Sequence, residues 1–236
     1  MEQGMESGRM ESGRVESQGV GEVAATPAAV NLSVLLDRSG SMASIASDMI
    51  GGFQTFVDEQ RQAPGAARIS LVQFDGDDPF EVLIDGEDLR TVRMDARKYI
   101  PRGVTPLLDA VGRMIARIDA DIAERNTLGL GEEDQVVLII TDGLENASQE
   151  YTLAAVKGLI EARRAAGWVF VFLGADQDSF AEGARMGFSA ANRRDWDKSS
   201  EGTKEMWAEV SKSSLRHRRK ERFARTMDAD KFLEEE

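Results

Sequence analysis

Hydrophobic and polar positions along residues 29 to about 192 fall into blocks with the period of either a strand or a helix. The first block, Val30 to Leu36, is a continuous β-prone apolar run, and helical spacing follows directly after it. The apolar positions at this helical spacing are Ile45, Met49, Phe53, Phe56 and Val57. The pattern predicts a buried strand followed by an amphipathic helix.

The next two blocks predict an antiparallel hairpin. Arg68 to Phe74 (RISLVQF) alternates, and Phe80 to Ile84 (FEVLI) follows after the turn residues DGDDP. The connection contains Asp75, Asp77 and Asp78, which resemble part of a calcium loop. Because the Gly at the sixth position of such a loop and its closing Glu are missing, a hairpin turn is the preferred interpretation.

Further apolar blocks predict the rest of the core. A helical pattern runs from Leu107 to Ile122, and the short continuous run Val136 to Ile140 (VVLII) is typical of a parallel strand covered on both faces. A helix over Leu153 to Ile160, closed by Gly167, precedes a second buried strand at Trp168 to Leu173. The shorter elements predicted after these are a helix at Phe180 to Gly187 and a strand at Phe188 to Ala190. This alternation predicts an α/β sandwich with a mostly parallel central sheet.

The two ends of the chain differ in composition from this central domain. Residues 1–28 contain MESGR at Met5 to Arg9 and again at Met10 to Arg14, a repeat without an amphipathic face. Such a segment buries too little apolar area to offset the loss of backbone entropy, so we expect a disordered tail, with a peptide docking motif as the alternative. Residues 193–236 predict a helix around Trp207 that packs on the domain, followed by a solvated charged extension.

Composition narrows the classes of function. The formal net charge of −13 and the pI near 4.7 argue against a nucleic-acid partner, although Arg216 to Arg225 (RHRRKERFAR) is a basic run. No run approaches the roughly 18 apolar residues of a membrane span, and no signal-peptide pattern is visible. The chain has no Cys, which fits a reducing compartment, so we expect a cytoplasmic location.

Oxygen-bearing side chains stand next to the ends of the predicted strands and helices. They are Asp37, Ser39 and Ser41 after the first strand, Thr105 in RGVTPLLDA before the second long helix, and Asp142 in TDG after the VVLII strand. Each group alone is usual for a helix cap or a turn. Functional groups of an open α/β sheet gather at the carboxyl ends of its strands, so the three groups together predict one site.

The chemistry of these five side chains favours a hard divalent cation. Two carboxylates and three hydroxyls suit Mg²⁺ or Mn²⁺ better than zinc, which prefers nitrogen and sulfur. The two carboxylates only balance the charge of the ion, and the hydroxyls are weak donors. A bound ion would therefore remain electrophilic and keep a position for water or for a carboxylate from outside.

These residues resemble the metal-ion-dependent adhesion site of von Willebrand factor type A (vWA) domains. The motif of that family is D-x-S-x-S, then a Thr in a second loop and an Asp in a third, and Asp37, Ser39, Ser41, Thr105 and Asp142 match it without departure. The stretches TPLLDA, ITDGLEN and FLGADQDSFAEGARMGF also resemble soluble bacterial and phage members. The resemblance covers residues 29 to about 192 and implies a Rossmann-like sheet with one antiparallel edge strand and helices on both faces.

The resemblance implies metal-dependent protein binding and leaves the partner open, because the family includes adhesion receptors, partners of AAA+ ATPases and chelatase subunits. We expect a protein partner that presents an Asp or Glu carboxylate to Mg²⁺ or Mn²⁺. One alternative is a Mg²⁺-dependent hydrolase. The other is a metal-free vWA scaffold, for which a role as an accessory to an AAA+ ATPase is one option. We assign no catalytic residue and expect no enzyme. A haloacid-dehalogenase-type phosphatase also places an Asp after its first strand, but it needs a second Asp where Ser39 stands, and no phosphate loop or nucleophile elbow is present.

Other polar residues allow more than one interpretation. Glu145 and Asn146, after the third loop, could support the ligands, contact a partner or simply be solvated. Asp109, one helical turn after Thr105, could hold a ligand in place or be an exposed helix acid. His217, the one His of the chain, has no visible partner in the sequence.

Overall fold

The computed structural model describes residue 1, residues 29–175 and residues 177–234. The predicted disordered tail, residues 1–28, therefore lies, apart from Met1, outside the described residues. Within the described part of the chain, no helix is long and apolar enough to cross a membrane.

A six-stranded sheet lies at the centre of the described residues. Its strands are β1 (Ala29–Asp37), β2 (Ala67–Phe74), β3 (Glu81–Asp88), β4 (Glu133–Thr141), β5 (Val169–Gly174) and β6 (Arg193–Asp195). The spatial order is β3-β2-β1-β4-β5-β6. All neighbouring strands are parallel except β2 and β3, which form the predicted antiparallel hairpin at one edge.

The central strands are buried on both faces, as their continuous apolar runs predict. Leu35 of β1 stands opposite Val72 of β2 and Ile139 of β4, and all three side chains enter the same core. The adjacent residues Val34 and Leu138 enter the core on the opposite face. This alternation follows from the pleat of the strands, which sends successive side chains to opposite faces.

Helices cover both faces of the sheet, so the predicted fold class is confirmed. The described helices are α1 (Ala46–Arg61), α2 (Leu107–Thr127), α3 (Leu153–Ala165), α4 (Gln177–Arg185), α5 (Ser200–Arg219) and α6 (Arg222–Met227). On one face, Phe53 of α1 and Trp207 of α5 share a core with Val34. On the other face, Val111 of α2 and Ile160 of α3 share a core with Leu35.

A glycine allows α5 to dock closely on α1. A β-carbon at Gly52 would lie 2.0 Å from Cδ1 of Trp207, so only a residue without a side chain fits there. The Trp207 ring then packs against Phe53 and Phe56, with ring centroids 5.9 and 5.5 Å apart. The predicted packing of a helix around Trp207 on the domain is therefore confirmed.

The last strand lies later in the chain than the sequence predicted. The expected strand at Phe188 to Ala190 is wrong, because β6 spans Arg193–Asp195 and pairs parallel with β5. Phe188 is apolar for another reason, since its ring packs against Phe170 and Phe172 beneath the sheet. The sheet thus extends just beyond residue 192, where the predicted central domain ended.

The C-terminal segment is not the solvated extension that its polarity predicted. Phe232 and Leu233 are buried in the same core as α1 and α5. Arg225 of the basic run is also buried, and its Nε lies 2.9 Å from Oδ2 of Asp134 at the start of β4. The sequence predicted a solvated segment because few of its positions are apolar. Burial of Arg225 depends on an ion pair with a distant strand, which leaves no periodic pattern in the sequence.

Candidate metal centre

The candidate site lies at the carboxyl ends of β1 and β4, which are neighbours in the sheet. Asp37 is the last residue of β1, and Asp142 directly follows Thr141, the last residue of β4. The order of strands along the chain reverses between β1 and β4. Open α/β sheets bind ligands in the crevice at such a switch point.

The turn after β1 brings its two serines beside Asp37. The backbone N–H of Ser39 donates to Asp37 Oδ1 at 2.6 Å, and the hydroxyl oxygens of Ser39 and Ser41 are 3.0 Å apart. The chain then continues as a 3₁₀ turn over Gly40–Ile45, in which Met42 and Ile45 are buried. These buried side chains anchor the turn to the core and keep both hydroxyls near the carboxylate.

A hydrogen bond joins the first loop to the third. Ser41 Oγ donates to Asp142 Oδ1 at 2.7 Å, across 101 positions of sequence. Asp142 is buried, whereas Ser41 is exposed at the outer side of the site. Residues from two separate loops therefore already form one polar cluster.

Thr105, in the second loop, faces the same space. A β-carbon at Gly143 would lie 3.1 Å from Thr105 Oγ1 and 3.9 Å from Asp37 Oδ2, so both oxygens border the small space beside Gly143. Thr105 is itself buried. The structure thus brings together all five side chains that the sequence selected, and their role as metal ligands stays a prediction.

Asn146 and Glu145 hold the second and third loops together. The Asn146 side chain accepts the N–H of Thr105 at 2.9 Å, and the Asn146 N–H donates to the Thr105 carbonyl at 3.2 Å. Glu145 accepts the N–H of Leu108 and the N–H and hydroxyl of Ser148, at 2.7–2.9 Å. Of the interpretations that the sequence left open, support of the site fits these contacts.

Asp109 has a similar role at the start of α2. Its carboxylate accepts the backbone N–H groups of Gln149, Glu150 and Tyr151 at 2.8–2.9 Å. It is only 4% exposed, so it is not the exposed helix acid that the sequence allowed. Asp109 therefore fastens the start of α2, just after the Thr105 loop, to the backbone of the segment that follows Asp142.

Asp75 closes the hairpin turn rather than a calcium loop. Its Oδ1 accepts the N–H groups of Asp77 and Asp78 at 2.7 and 3.0 Å. Its Oδ2 lies 2.5 Å from Arg38 Nη2, so both oxygens of the carboxylate have partners. Arg38 directly follows Asp37, and this ion pair fixes the chain beside the candidate site.

The electrostatics of the site favour a cation. The pKa of Asp37 is raised to about 6, mainly by burial and to a smaller extent by the nearby charge of Asp142, against the opposing effect of hydrogen bonds from Thr141 and Ser39. Asp142 is also buried. Two buried carboxylates with neighbouring hydroxyls fit Mg²⁺ or Mn²⁺, both of which prefer oxygen ligands.

Only two of the five side chains are carboxylates, and this limits the affinity that the site can have for a metal ion. Within residues 29–175 and 177–234, no group of three or more His, Cys, Asp or Glu is placed to hold a metal ion. A bound ion would therefore depend on hydroxyls and water for most of its ligands. This favours a site that binds a solvent-accessible ion weakly over a closed structural metal site.

Lys198 is part of the site, although the sequence analysis did not select it. Its Nζ lies 2.6 Å from Asp142 Oδ2. No spacing in the sequence predicts this contact, because it depends on where β6 places the following residues. The cluster therefore contains an amino group beside the carboxylate that a metal would need.

Comparisons with known proteins place the fold. No protein-family model matches the chain, and a search of curated proteins found no relative. The pilus adhesin SpaC from Lactobacillus rhamnosus GG superposes with a TM-score of 0.62 at 14% identity, over 80% of this chain and 30% of SpaC. The chain thus spans under a third of that protein.

Two further solved structures are similar. Proximal thread matrix protein 1 from the mussel byssus, with a zinc-occupied MIDAS (metal-ion-dependent adhesion site) motif, gives a TM-score of 0.56 at 17% identity. The superposition covers 80% of this chain and 46% of that one. The SpRpn10 VWA domain gives 0.52 at 12% identity, over 76% of this chain and 94% of that domain. At these identities the comparisons show the fold alone, which is that of a vWA domain.

Proposed function

We propose that this chain, with its vWA fold, is a metal-dependent protein-binding module. In this proposal Asp37, Ser39, Ser41, Thr105 and Asp142 hold Mg²⁺ or Mn²⁺, which coordinates a carboxylate of a protein partner. The observation that carries it is the convergence of these five side chains from three loops at one edge of the sheet.

The side chains have distinct roles in this proposal. Asp37 and Asp142 supply the negative charge, and burial strengthens their attraction for a cation. The Ser39 N–H and the Thr141 hydroxyl, 2.6 Å from the two oxygens of Asp37, hold that carboxylate in one orientation. Ser41, exposed at the rim, keeps one side of the site open to a partner.

Exposed apolar residues beside the site support a protein partner. Val104 directly precedes Thr105 and is 49% exposed, and Leu144 lies two residues after Asp142 and is 45% exposed. Large apolar side chains exposed next to a polar site are typical of surfaces that bind proteins. A small anion would gain nothing from them.

The similar structures support this proposal in a general way. SpaC is a pilus adhesin, and the byssus protein has zinc in its MIDAS motif. These properties belong to those proteins, and this chain shares only their fold. We propose binding rather than catalysis, and a cytoplasmic location supported by the absence of Cys.

A direct test measures Mn²⁺ binding by the shift of the melting temperature. Saturating an ion site raises the free energy of unfolding by RT ln(1 + [L]/Kd), about 2.7 kcal/mol at 100 times Kd. We expect Mn²⁺ to stabilise the wild type and Ser47→Ala, an exposed serine of α1, but not Ser41→Ala. Equal shifts in Ser41→Ala and Ser47→Ala would refute the site.

A second candidate function is protein binding without a metal. The contact between Lys198 and Asp142 favours it, because an ammonium group already compensates part of the negative charge. If Mn²⁺ does not change the melting temperature of the wild type, this result would favour protein binding without a metal.

A further inference from the structure

The backbone of Lys198 is fixed by the residues on both sides of it. Trp196 is buried, and its backbone N–H donates to the Gly174 carbonyl at the end of β5 at 3.0 Å. Ser199 is the N-cap of α5, and its Oγ accepts the N–H of Gly202 at 3.1 Å. The segment Trp196 to Ser199 thus directs Lys198 toward the third loop.

The contact of Lys198 with Asp142 is a short ion pair. Nζ lies 2.6 Å from Oδ2. The other oxygen, Oδ1, accepts the hydroxyl of Ser41. Each oxygen of Asp142 therefore has its own partner.

The two partners of this ion pair differ in exposure. The Asp142 side chain is fully buried, whereas the Lys198 side chain is 33% exposed. The carboxylate cannot leave its position without breaking the bond to Ser41, but the flexible lysine can swing into water. An alternative cation would therefore displace the lysine and keep the aspartate in place.

A divalent ion and the ammonium group cannot both bind Asp142 Oδ2 at short range. Two cations within a few ångströms repel each other strongly where water is excluded. A single ammonium also balances only one of the two carboxylates, Asp37 and Asp142, whereas a divalent ion balances both. The same oxygen is thus shared by two exclusive partners.

We propose that Lys198 is an intramolecular competitor of the metal, which lowers metal affinity and links metal binding to release of the Lys198 side chain. This inference rests on the proposed function, because it needs the divalent ion as the other competitor. In the metal-free protein the Lys198 ammonium group lies against Asp142. Binding of the ion displaces this group into the solvent, where it is available to a partner.

The test is isothermal titration of Mn²⁺ into the full chain, with wild type, Lys198→Met and Lys204→Met. Lys204 is the matched control, since it is 66% exposed on α5 and its nearest acid is Glu201 at 3.9 Å. Lys198→Met should bind Mn²⁺ about 5- to 150-fold more tightly than the wild type, the usual range for coupling between two ligands. Lys204→Met should match the wild type.

The outcomes separate this inference from the proposed function. Tighter binding by Lys198→Met supports both, and binding by Lys198→Met alone supports the competitor while refuting metal dependence of the wild type. Equal or weaker binding by Lys198→Met refutes the competitor and leaves the metal site intact. Absence of binding in both proteins refutes both ideas.

A second measurement needs no variant, so it applies even if Lys198→Met fails to fold. Acylation of Lys198 by an amine-reactive reagent in the wild type should become faster when Mn²⁺ is added, because its ammonium group leaves the buried Asp142 carboxylate. Acylation of Lys204, an exposed lysine of α5, serves as the internal reference. Unchanged or slower acylation of Lys198 would overturn the inference.

Discussion

Thr141 donates a hydrogen bond from its Oγ1 to Oδ2 of Asp37 at 2.6 Å, and so joins the ends of β4 and β1 inside the protein. The same hydroxyl accepts the N–H of Gly143 at 3.1 Å. One side chain thus orients the carboxylate of the first loop and the backbone of the third.

Replacing this hydroxyl tests its contribution to stability. Thr141→Val keeps the shape of the side chain but leaves the buried Asp37 oxygen and the Gly143 N–H without this partner. We expect the free energy of unfolding in EDTA to fall by about 1–3 kcal/mol. Thr55→Val, whose hydroxyl bonds to the Gly51 carbonyl on an exposed helix face, should change it by less than about 0.5 kcal/mol. Similar losses in the two variants, measured by urea unfolding, would contradict this role.

The C-terminal segment offers a matched pair of phenylalanines. Phe232 is 4% exposed and packs in the core, whereas Phe223 is 79% exposed on α6. Phe232→Ala should lower the free energy of unfolding by about 3–5 kcal/mol, because it removes apolar burial and leaves a cavity. Phe223→Ala should be nearly neutral. A solvated C-terminal segment would instead make both substitutions neutral in denaturant titrations.

His217 predicts a loss of stability in acid. Burial, followed by the nearby positive charges of Arg225 and Lys220, lowers its pKa from 6.5 to about 3, against a smaller opposite effect of Asp228. Between these pH values the unfolded chain binds a proton that the folded chain does not, so stability falls as the pH drops below about 6.5. The slope for one proton is at most about 1.4 kcal/mol per pH unit.

The variant His217→Leu isolates this contribution. The ring of His217 packs 5.4 Å from that of Phe232, so an apolar replacement suits the site. The free energy of unfolding of the wild type relative to His217→Leu should decline steadily from pH 6.5 toward pH 4. Parallel stability curves for the two proteins would show that His217 is not buried in its neutral form.

Asp109 should prove necessary for the geometry of the loops. In Asp109→Asn one carboxylate oxygen becomes an amide NH₂ that faces backbone donors, so a loss of about 1–3 kcal/mol in the free energy of unfolding is expected. Weaker Mn²⁺ binding should accompany it, since the loop after Asp142 is no longer fastened. Asp119→Asn, on the same helix, removes only a partly exposed ion pair with Arg163 and should cost under about 1 kcal/mol. Unaltered Mn²⁺ affinity in Asp109→Asn would restrict Asp109 to a purely structural role.

Much of the candidate site is predictable because its residues stand at the ends of strands that the hydrophobic pattern already marks. Asp37 and Asp142 follow continuous apolar runs, and parallel strands bring such ends to one edge. Lys198 could not be found this way, since its position depends on the pairing of β6, a strand of three residues without an apolar run. The burial of Phe232 was not predicted for a related reason, because an isolated apolar residue forms no periodic pattern.

The position of Phe232 and Leu233 has a consequence for the order in which the protein is made. Both residues pack in the same core as β1, which leaves the ribosome long before them. The face of the sheet that carries α1 therefore stays incompletely covered until residue 233 has emerged. During that interval its apolar surface is open to chaperones or to neighbouring nascent chains.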